Sequence, residues 1–430
     1  MNNKILPYLF FIFLSFFIVI FTYIVFKPVI SEDASINLVL YSIGKLAGLI
    51  GFLFLSTLII SGDTARFFDK YLGMDKIIKF QRKFALVTSI FVLLHPIFFI
   101  LSNKIYLNYL IPRFIALPFA LGTISLYIFV IVEISSILYK RISYDVWQYL
   151  HILTYTLFFL GLYHAINLGS DTGNIFIRSI FGILLIGVIT GGIYRTYYKI
   201  KYRKFKCYVK EIKLETKDTF TLILKPNKKL NFKAGQFCFL RLNKDKLYAR
   251  HPFTMSSPPE EENLHFTIKL TGKFTKAASE LKKGEEVIVD GPFGIFNLRD
   301  NKENLVFLAG GVGITPFMSI IKNKLEHKEK QNILLLYGSN TKEDIIFKDE
   351  LDKIKEKWLK KIYVLSQDNS HYEMYEKGYI NKEIIKKYVK DMKNSLFYIC
   401  GPEPMKVLCK NELKVLGVSS KNIIIESFFW

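Results

Sequence analysis

The chain has 430 residues, of which 51% are hydrophobic and 22% charged. A chain this apolar is not a single soluble globule, and one this charged is not embedded in lipid throughout, so apolar and polar regions must be segregated along it. The net charge of +22 is spread over surface stretches and beside apolar runs, with no nucleic-acid motif, which sets nucleic-acid binding aside.

Residues 1–200 carry six apolar stretches near the roughly 20 residues needed to cross a bilayer: 7–26, 40–61, 84–102, 115–139, 147–168 and 176–198. The first follows Lys4 and meets no small-residue cleavage site before Lys27, so it is expected to be a retained span. Positive charge concentrates between spans two and three (Arg66, Lys70, Lys76, Lys79, Arg82, Lys83), between four and five (Lys140, Arg141) and after six (Arg195, Lys199, Lys201, Arg203, Lys204). The positive-inside rule therefore predicts a multi-pass protein of the cell (plasma or inner) membrane, with both termini and the polar half in the cytoplasm.

Three histidines fall inside spans: His95 in the third, His151 and His164 in the fifth. Imidazoles in hydrocarbon are costly and usually functional, either as hydrogen-bonding groups between helices or as axial ligands of haem iron. Three on two helices point to haem. His151 and His164 lie 13 residues apart, roughly 20 Å of depth, which stacks two sites along the bilayer normal.

Spans three and five resemble the ferric-reductase-like transmembrane domain shared by NADPH oxidases and ferric reductases, whose paired histidines on these two helices ligate two stacked b haems. The resemblance makes His95 and His164 the outer pair and His151 one inner ligand. The fourth position holds Gln81 where the family usually has His. Gln81 is then either an inner-haem contact or a polar residue at the span boundary, and the expected haem b content is one or two. A span-three helix lacking its early His is also similar to the haem subunit of the periplasmic methionine sulfoxide reductase system.

Residues 203–300 alternate apolar runs with Gly, Pro and Lys-rich turns, which predicts an antiparallel β-barrel. Residues 301–430 alternate short strands (305–308, 332–337, 361–365, 395–399) with amphipathic stretches such as 342–357 and 381–393, which predicts a doubly wound α/β domain. That order resembles the ferredoxin–NADP reductase family, and the resemblance implies an FAD-binding barrel followed by an NAD(P)-binding domain. It rests on five motifs. In Arg250-His251-Pro252-Phe253-Thr254, Arg250 is implied at the FAD pyrophosphate, Phe253 against the flavin and Thr254 near flavin N5. In 269–275, Gly272 and Thr275 are implied at a second FAD phosphate. Residues 290–294 (Asp-Gly-Pro-Phe-Gly) look like the turn ending the barrel.

The string Gly310-Gly311-Val312-Gly313-Ile314-Thr315-Pro316 is implied to cradle the nucleotide, with Thr315 near the nicotinamide. Cys400-Gly401-Pro402 is implied beside the nicotinamide, with Cys400 orienting hydride transfer rather than attacking as a nucleophile. The C-terminal Glu426-Ser427-Phe428-Phe429-Trp430 is implied to stack an aromatic on the flavin, Phe428 first and Trp430 as alternative. No Arg follows the second strand at Ser339-Asn340-Thr341, so NADH, or both nicotinamide cofactors, is expected. The four cysteines (207, 238, 400, 409) form no CxxC pair, which suits a reducing compartment.

The chain is thus expected to be an NAD(P)H oxidase or ferric reductase-type enzyme. Electrons would pass from NAD(P)H through FAD and haem to O2 or ferric iron, or to an extracytoplasmic repair enzyme or quinone. With no EF-hand loop in the sequence, activity is expected to be constitutive.

Overall fold

The computed structural model describes residues 5–31, 35–103, 110–139, 141–203, 205–242, 250–299, 304–328, 331–368 and 374–426. The chain forms two compact units, 1–199 and 200–430.

The first unit is helical: α1 (Ile5–Ser31), α2 (Ile36–Asp63), α3 (Ala65–Leu72), α4 (Met74–Asn103), α5 (Leu117–Ile137), α6 (Tyr144–Leu168) and α7 (Ile175–Arg203). All except α3 lie in segments long and apolar enough to cross a membrane. Helices suit these runs because a span must satisfy its own backbone groups. Hydroxyls follow suit by donating to the carbonyl one turn back, as Ser56 does to Phe52 (2.6 Å) and Thr88 to Phe84 (2.9 Å). Ser35 and Ser143 cap α2 and α6 by accepting from Leu38 N and Val146 N.

Two features depart from the sequence reading. A short amphipathic helix, α3, occupies the basic loop after α2, and α4 begins ten residues before the expected span. Gln81 therefore lies within α4 rather than at its edge.

The second unit holds two six-stranded sheets. The first, antiparallel, has the order β4 (His251–Thr254), β3 (Phe237–Leu242), β6 (Glu286–Phe293), β1 (Lys206–Thr216), β2 (Thr219–Pro226), β5 (Leu264–Lys269). Its two edges meet at a single bridge, Met255 to Phe266, so the sheet curls towards a barrel around Leu222, Leu240, Phe266 and Val289. The short helix α8 (Lys273–Ser279) follows β5.

The second sheet is parallel, ordered β10 (Tyr375–Lys377), β9 (Leu359–Leu365), β8 (Asn332–Ser339), β7 (Asn304–Gly310), β11 (Ser395–Cys400), β12 (Ile423–Ile425). Its helices are α9 (Thr315–His327), α10 (Lys348–Lys353), α11 (Lys382–Tyr388) and α12 (Glu403–Val415). Strands β7, β8 and β11 read as continuous apolar runs because helices cover both faces. The expected helices at 342–357 and 381–393 shorten to α10 and α11, and β10 and β12 are strands the sequence reading does not name.

Candidate functional site

Helices α2 and α4 pack antiparallel, and glycines on α2 set how closely. Side chains at residues 44, 48 and 51 would run into Phe99, His95 and Val92 respectively. With those side chains absent, the His95 ring lies against the α2 backbone and its Nδ1 is 2.8 Å from the Gly44 carbonyl. The α5/α6 pair repeats the device: Gly122 makes room for the His164 ring, whose Nδ1 is 2.9 Å from the Pro118 carbonyl. Carbonyls only accept, so each Nδ1 carries the proton and each Nε2 keeps its lone pair for a ligand.

The two rings face each other with centroids 6.2 Å apart and planes at 86°. Two imidazoles sharing one metal at about 2.0 Å per nitrogen have centroids roughly 6 Å apart, which is this spacing. Both line a cavity of about 390 Å³ whose walls include Phe52, Leu55, Leu126, Leu157 and Phe181. No cluster of three or more His, Cys, Asp or Glu suited to a bare ion occurs among the described residues. An iron porphyrin brings four nitrogens of its own and asks the protein only for axial ligands, so the paired imidazoles and apolar walls fit haem.

One end of the cavity is polar. Lys45 forms an ion pair with Asp171 (3.0 Å), and its Nζ lies 3.4 Å from Ser170 Oγ. His151 stands apart from the outer pair: its ring stacks on Trp147 (4.9 Å, 18°), and neither of its nitrogens has a hydrogen-bond partner among the described residues. Gln81 donates from Nε2 to Ser61 Oγ at 3.2 Å.

A further network joins α2, α6 and α7. The buried Asp63 carboxylate accepts from Tyr155 (2.6 Å) and Arg195 (3.2 Å) through Oδ1, while its buried Oδ2 has no hydrogen-bond partner. In the sequence Arg195 reads as part of the basic flank at the end of span six. It lies within α7, where an acidic partner on α2 compensates it.

The sequence reading misses Gly44, Gly48, Gly122, Lys45, Asp171 and Asp63. Gly44 and Gly48 form a small-xxx-small pattern, the usual signature of close helix packing in membranes, and could be found that way.

In the barrel, β4 presents the aromatic motif. Phe253 stacks on the buried Phe274 (5.8 Å) and His251 packs against it at a tilt (4.1 Å), which leaves His251 and Phe253 half-buried. Burial lowers the His251 pKa, so this ring is neutral at pH 7. Thr254 Oγ1 is buried without a hydrogen-bond partner, an orphan that fits a polar atom of a bound flavin. Arg250 lies over the Phe239 ring (4.5 Å) and 3.6 Å from Asp290.

Thr275 behaves differently from the expectation. Its hydroxyl accepts from Thr271 N and Gly272 N and donates to the Gly272 carbonyl, so its proton is engaged within its own turn rather than offered to a phosphate.

In the parallel sheet the chain runs outward from β7 in both directions, and the β7 and β11 loops meet at this topological switch point, where such folds bind ligands. The glycines there divide their duties. Side chains at 310 and 313 would run into Met405 and the Cys400 carbonyl, and one at 401 into Met405 and Gly310. These three let the two loops pack backbone to backbone beside Pro402, where the sequence reading assigns Gly310 and Gly313 to the nucleotide cradle and Gly401 to the nicotinamide. Gly311 differs: its φ is +51° and nothing lies where a side chain would point, so it is the open member of the loop. Thr315 opens α9, next to Pro316, with its hydroxyl on the Val312 carbonyl (2.8 Å).

Cys400 is wholly buried, and burial, aided by the Glu426 carboxylate, pushes its thiol well above the ordinary range, so it is no nucleophile. Phe428 and Trp430 lie outside the described residues.

Comparison with known proteins agrees with this division. Residues 47–162 match the ferric reductase like transmembrane component, 204–297 an FAD-binding domain and 307–411 the oxidoreductase NAD-binding domain. NADH-cytochrome b5 reductase 1 of Dictyostelium discoideum is 31% identical over 233 residues, covering 52% of this chain and 81% of that protein. The flavohemoprotein of Oceanobacillus iheyensis is 25% identical over 246 residues, covering 53% of this chain but only 59% of its own length. The electron transfer component of the 2-halobenzoate 1,2-dioxygenase of Burkholderia cepacia is 26% identical over 219 residues, and the chain spans 62% of it. The crystal structure of flavohemoglobin from Malassezia yamatoensis aligns over 95% of this chain and 99% of that one, with a TM-score of 0.52 and 18% identity, a likeness of fold alone. With its transmembrane, FAD-binding and NAD-binding segments in this order on one chain, the protein belongs to the ferric reductase/NADPH oxidase-like family, multi-pass membrane oxidoreductases driven by NAD(P)H.

Proposed function

We propose that this protein carries electrons from cytoplasmic NAD(P)H through FAD and haem b to dioxygen at the outer face of the cell membrane, forming superoxide. The observation that carries this reading is the His95–His164 pair, with Nδ1 of each anchored to a carbonyl and Nε2 left for iron. Bound FAD would accept hydride from nicotinamide, and haem would relay single electrons. The protein's own residues do the placing. Phe253, His251 and Phe274 offer the flavin an aromatic surface, and Thr254 an unused hydroxyl. Gly311 leaves room for the nucleotide where the β7 and β11 loops meet, and burial keeps Cys400 a neutral thiol beside that junction. Phe428, or Trp430, is proposed to stack on the flavin. With no Arg in the loop after β8, NADH is the proposed donor, with NADPH also accepted.

Orientation follows the basic loops, which put the reductase half in the cytoplasm and the His95 end of the bundle outside. Dioxygen is the acceptor we favour because the polar end of the cavity carries the Lys45 ammonium, paired with Asp171, beside the histidine pair. The Lys45 ammonium there would also stabilise negative charge developing on oxygen.

The test uses purified protein with NADH and FAD. Superoxide formation, lost in His164→Ala, supports the reading. Rapid ferric-chelate reduction without superoxide would make the protein a ferric reductase. Neither product, with electrons delivered only to a quinone or an exported protein, would overturn both.

A further inference from the structure

A single buried hydroxyl ties together two loops at the carboxyl end of the parallel sheet. Tyr337 lies on β8 in register with Ala309 of β7, and its side chain is wholly buried. The ring reaches past the end of β7, where its hydroxyl donates to the Gly311 carbonyl at 3.1 Å. The same oxygen accepts from the Ile346 N–H, also at 3.1 Å, in the segment between β8 and α10. The proton of the hydroxyl and one of its lone pairs are thus both used on backbone groups. A buried tyrosine needs some partner for its hydroxyl, and any one carbonyl would serve. Here the partners belong to two different loops, and neither lies on the tyrosine's own strand.

Gly311 is the residue this contact controls. Glycine holds a φ of +51° at no steric cost, so it is equally free to leave it. Across a planar trans peptide a carbonyl and the following N–H point in opposite directions. Holding the Gly311 carbonyl on Tyr337 therefore turns the Val312 N–H away from the buried ring. Thr315 fixes the next peptide by donating to the Val312 carbonyl at 2.8 Å. The turn that opens α9 is then pinned at two successive carbonyls, with the Val312 N–H presented as an anion requires. We propose that Tyr337 is a positioning residue for the dinucleotide: through Gly311 it sets the turn that receives the pyrophosphate, and through Ile346 it locks that turn to the loop beyond β8. The proposal rests on the reading that this loop receives the nucleotide. Tyr337 touches no ligand itself, since its side chain lies wholly beneath the loop.

The test compares Tyr337→Phe with the unaltered full-length protein, purified with FAD bound. Stopped-flow flavin reduction over a range of NADH concentrations separates the apparent Kd from the limiting rate of hydride transfer. The expected result is a Kd raised about tenfold, the worth of roughly one hydrogen bond, with the limiting rate within about twofold. ADP-ribose, which has the pyrophosphate but no nicotinamide, should lose the same factor as a competitive inhibitor. A hydroxyl that only satisfies itself would lower the unfolding temperature and leave both constants unchanged, which would overturn the proposal. A slower limiting rate at unchanged Kd would overturn it as well. Gly311→Leu fills the open space at the loop and separates the proposal from its premise. If it weakens NADH binding while Tyr337→Phe does not, only the tyrosine's role falls. If neither variant changes Kd, the nucleotide is not received at this loop and both fall. Hydrogen exchange in the unaltered protein covers the case in which Tyr337→Phe does not fold. The Ile346 N–H is buried below any ligand's reach, so ADP-ribose should slow its exchange through Tyr337, and no slowing would overturn the coupling.

Discussion

Gly122 on α5 lies so close to His164 on α6 that a methyl group in place of its hydrogen would occupy the space of the imidazole ring. The ring can stay only because that side chain is missing. Gly122→Ala is therefore expected to expel the imidazole and, if the pair holds haem as proposed, to lower the Soret absorbance with flavin content unchanged. Gly48→Ala should do the same through His95. Full retention of the Soret band in both variants would show that the rings are not where iron is held.

Thr254 gives a test in which stability and turnover part company. Its hydroxyl is buried and has no partner within the chain, so Thr254→Val removes an unsatisfied group and should leave thermal stability of the flavin-free protein equal or higher. If the hydroxyl serves bound flavin, stopped-flow hydride transfer from NADH should slow by about tenfold, the worth of roughly one hydrogen bond. An unchanged rate would remove Thr254 from the flavin site.

The two loop glycines should rank in a definite order. Gly313→Ala drives a methyl group into the Cys400 carbonyl, backbone that cannot swing aside, and should destabilise by about 2–3 kcal/mol and raise KM for NADH. Gly311→Ala meets no atom and bears only the left-handed backbone penalty, about 1 kcal/mol. Thermal unfolding of the full chain in detergent measures both, and the reverse ranking would contradict the packing of these loops.

The thiols set an alkaline limit. Burial pushes Cys207 and Cys409 up to about 12, and Cys400 well above its ordinary value. An unfolded chain would ionise these groups near pH 8.5 while the folded one would not. Their contribution to stability is therefore complete below about pH 8.5 and is lost as pH rises towards 12. Denaturant midpoints should fall steadily above about pH 9, and iodoacetamide at pH 8 should label none of the three before unfolding. Rapid labelling of Cys400 in the native protein would contradict its burial.

Tyr155 donates to a carboxylate that already has one oxygen without a partner. Tyr155→Phe deepens that deficit and is expected to destabilise the helical unit by about 1–3 kcal/mol, read as a lower unfolding temperature in detergent. No change would mean that water already serves Asp63.

The architecture is legible in the sequence because its signals are long: apolar runs of bilayer length, and a switch to short β-runs punctuated by glycine. The imidazoles stand out because ionisable groups are rare in such runs. What supports them does not. His95 is held by a carbonyl 51 residues away and seated by a glycine that looks like filler, and both contacts exist only after two helices have packed. Asp63 and Arg195 read as a span end and a basic flank because their 3.2 Å contact joins residues 132 positions apart. In the reductase half the glycine strings announce the switch point correctly. Gly310 and Gly313 nevertheless serve loop-to-loop packing, which no local pattern distinguishes from nucleotide contact.

The spacing of glycines along α2 also restricts how the chain can change length. One residue inserted between Gly48 and Gly51 would turn everything beyond it by about 100° and swing Gly51 away from Val92 on α4, while Gly48 kept its place under His95. The helix works as a gauge cut at two marks, and neither can shift alone. Natural variants that lengthen or shorten this half of the protein should do so in the turns between helices, leaving the interval between the marks intact.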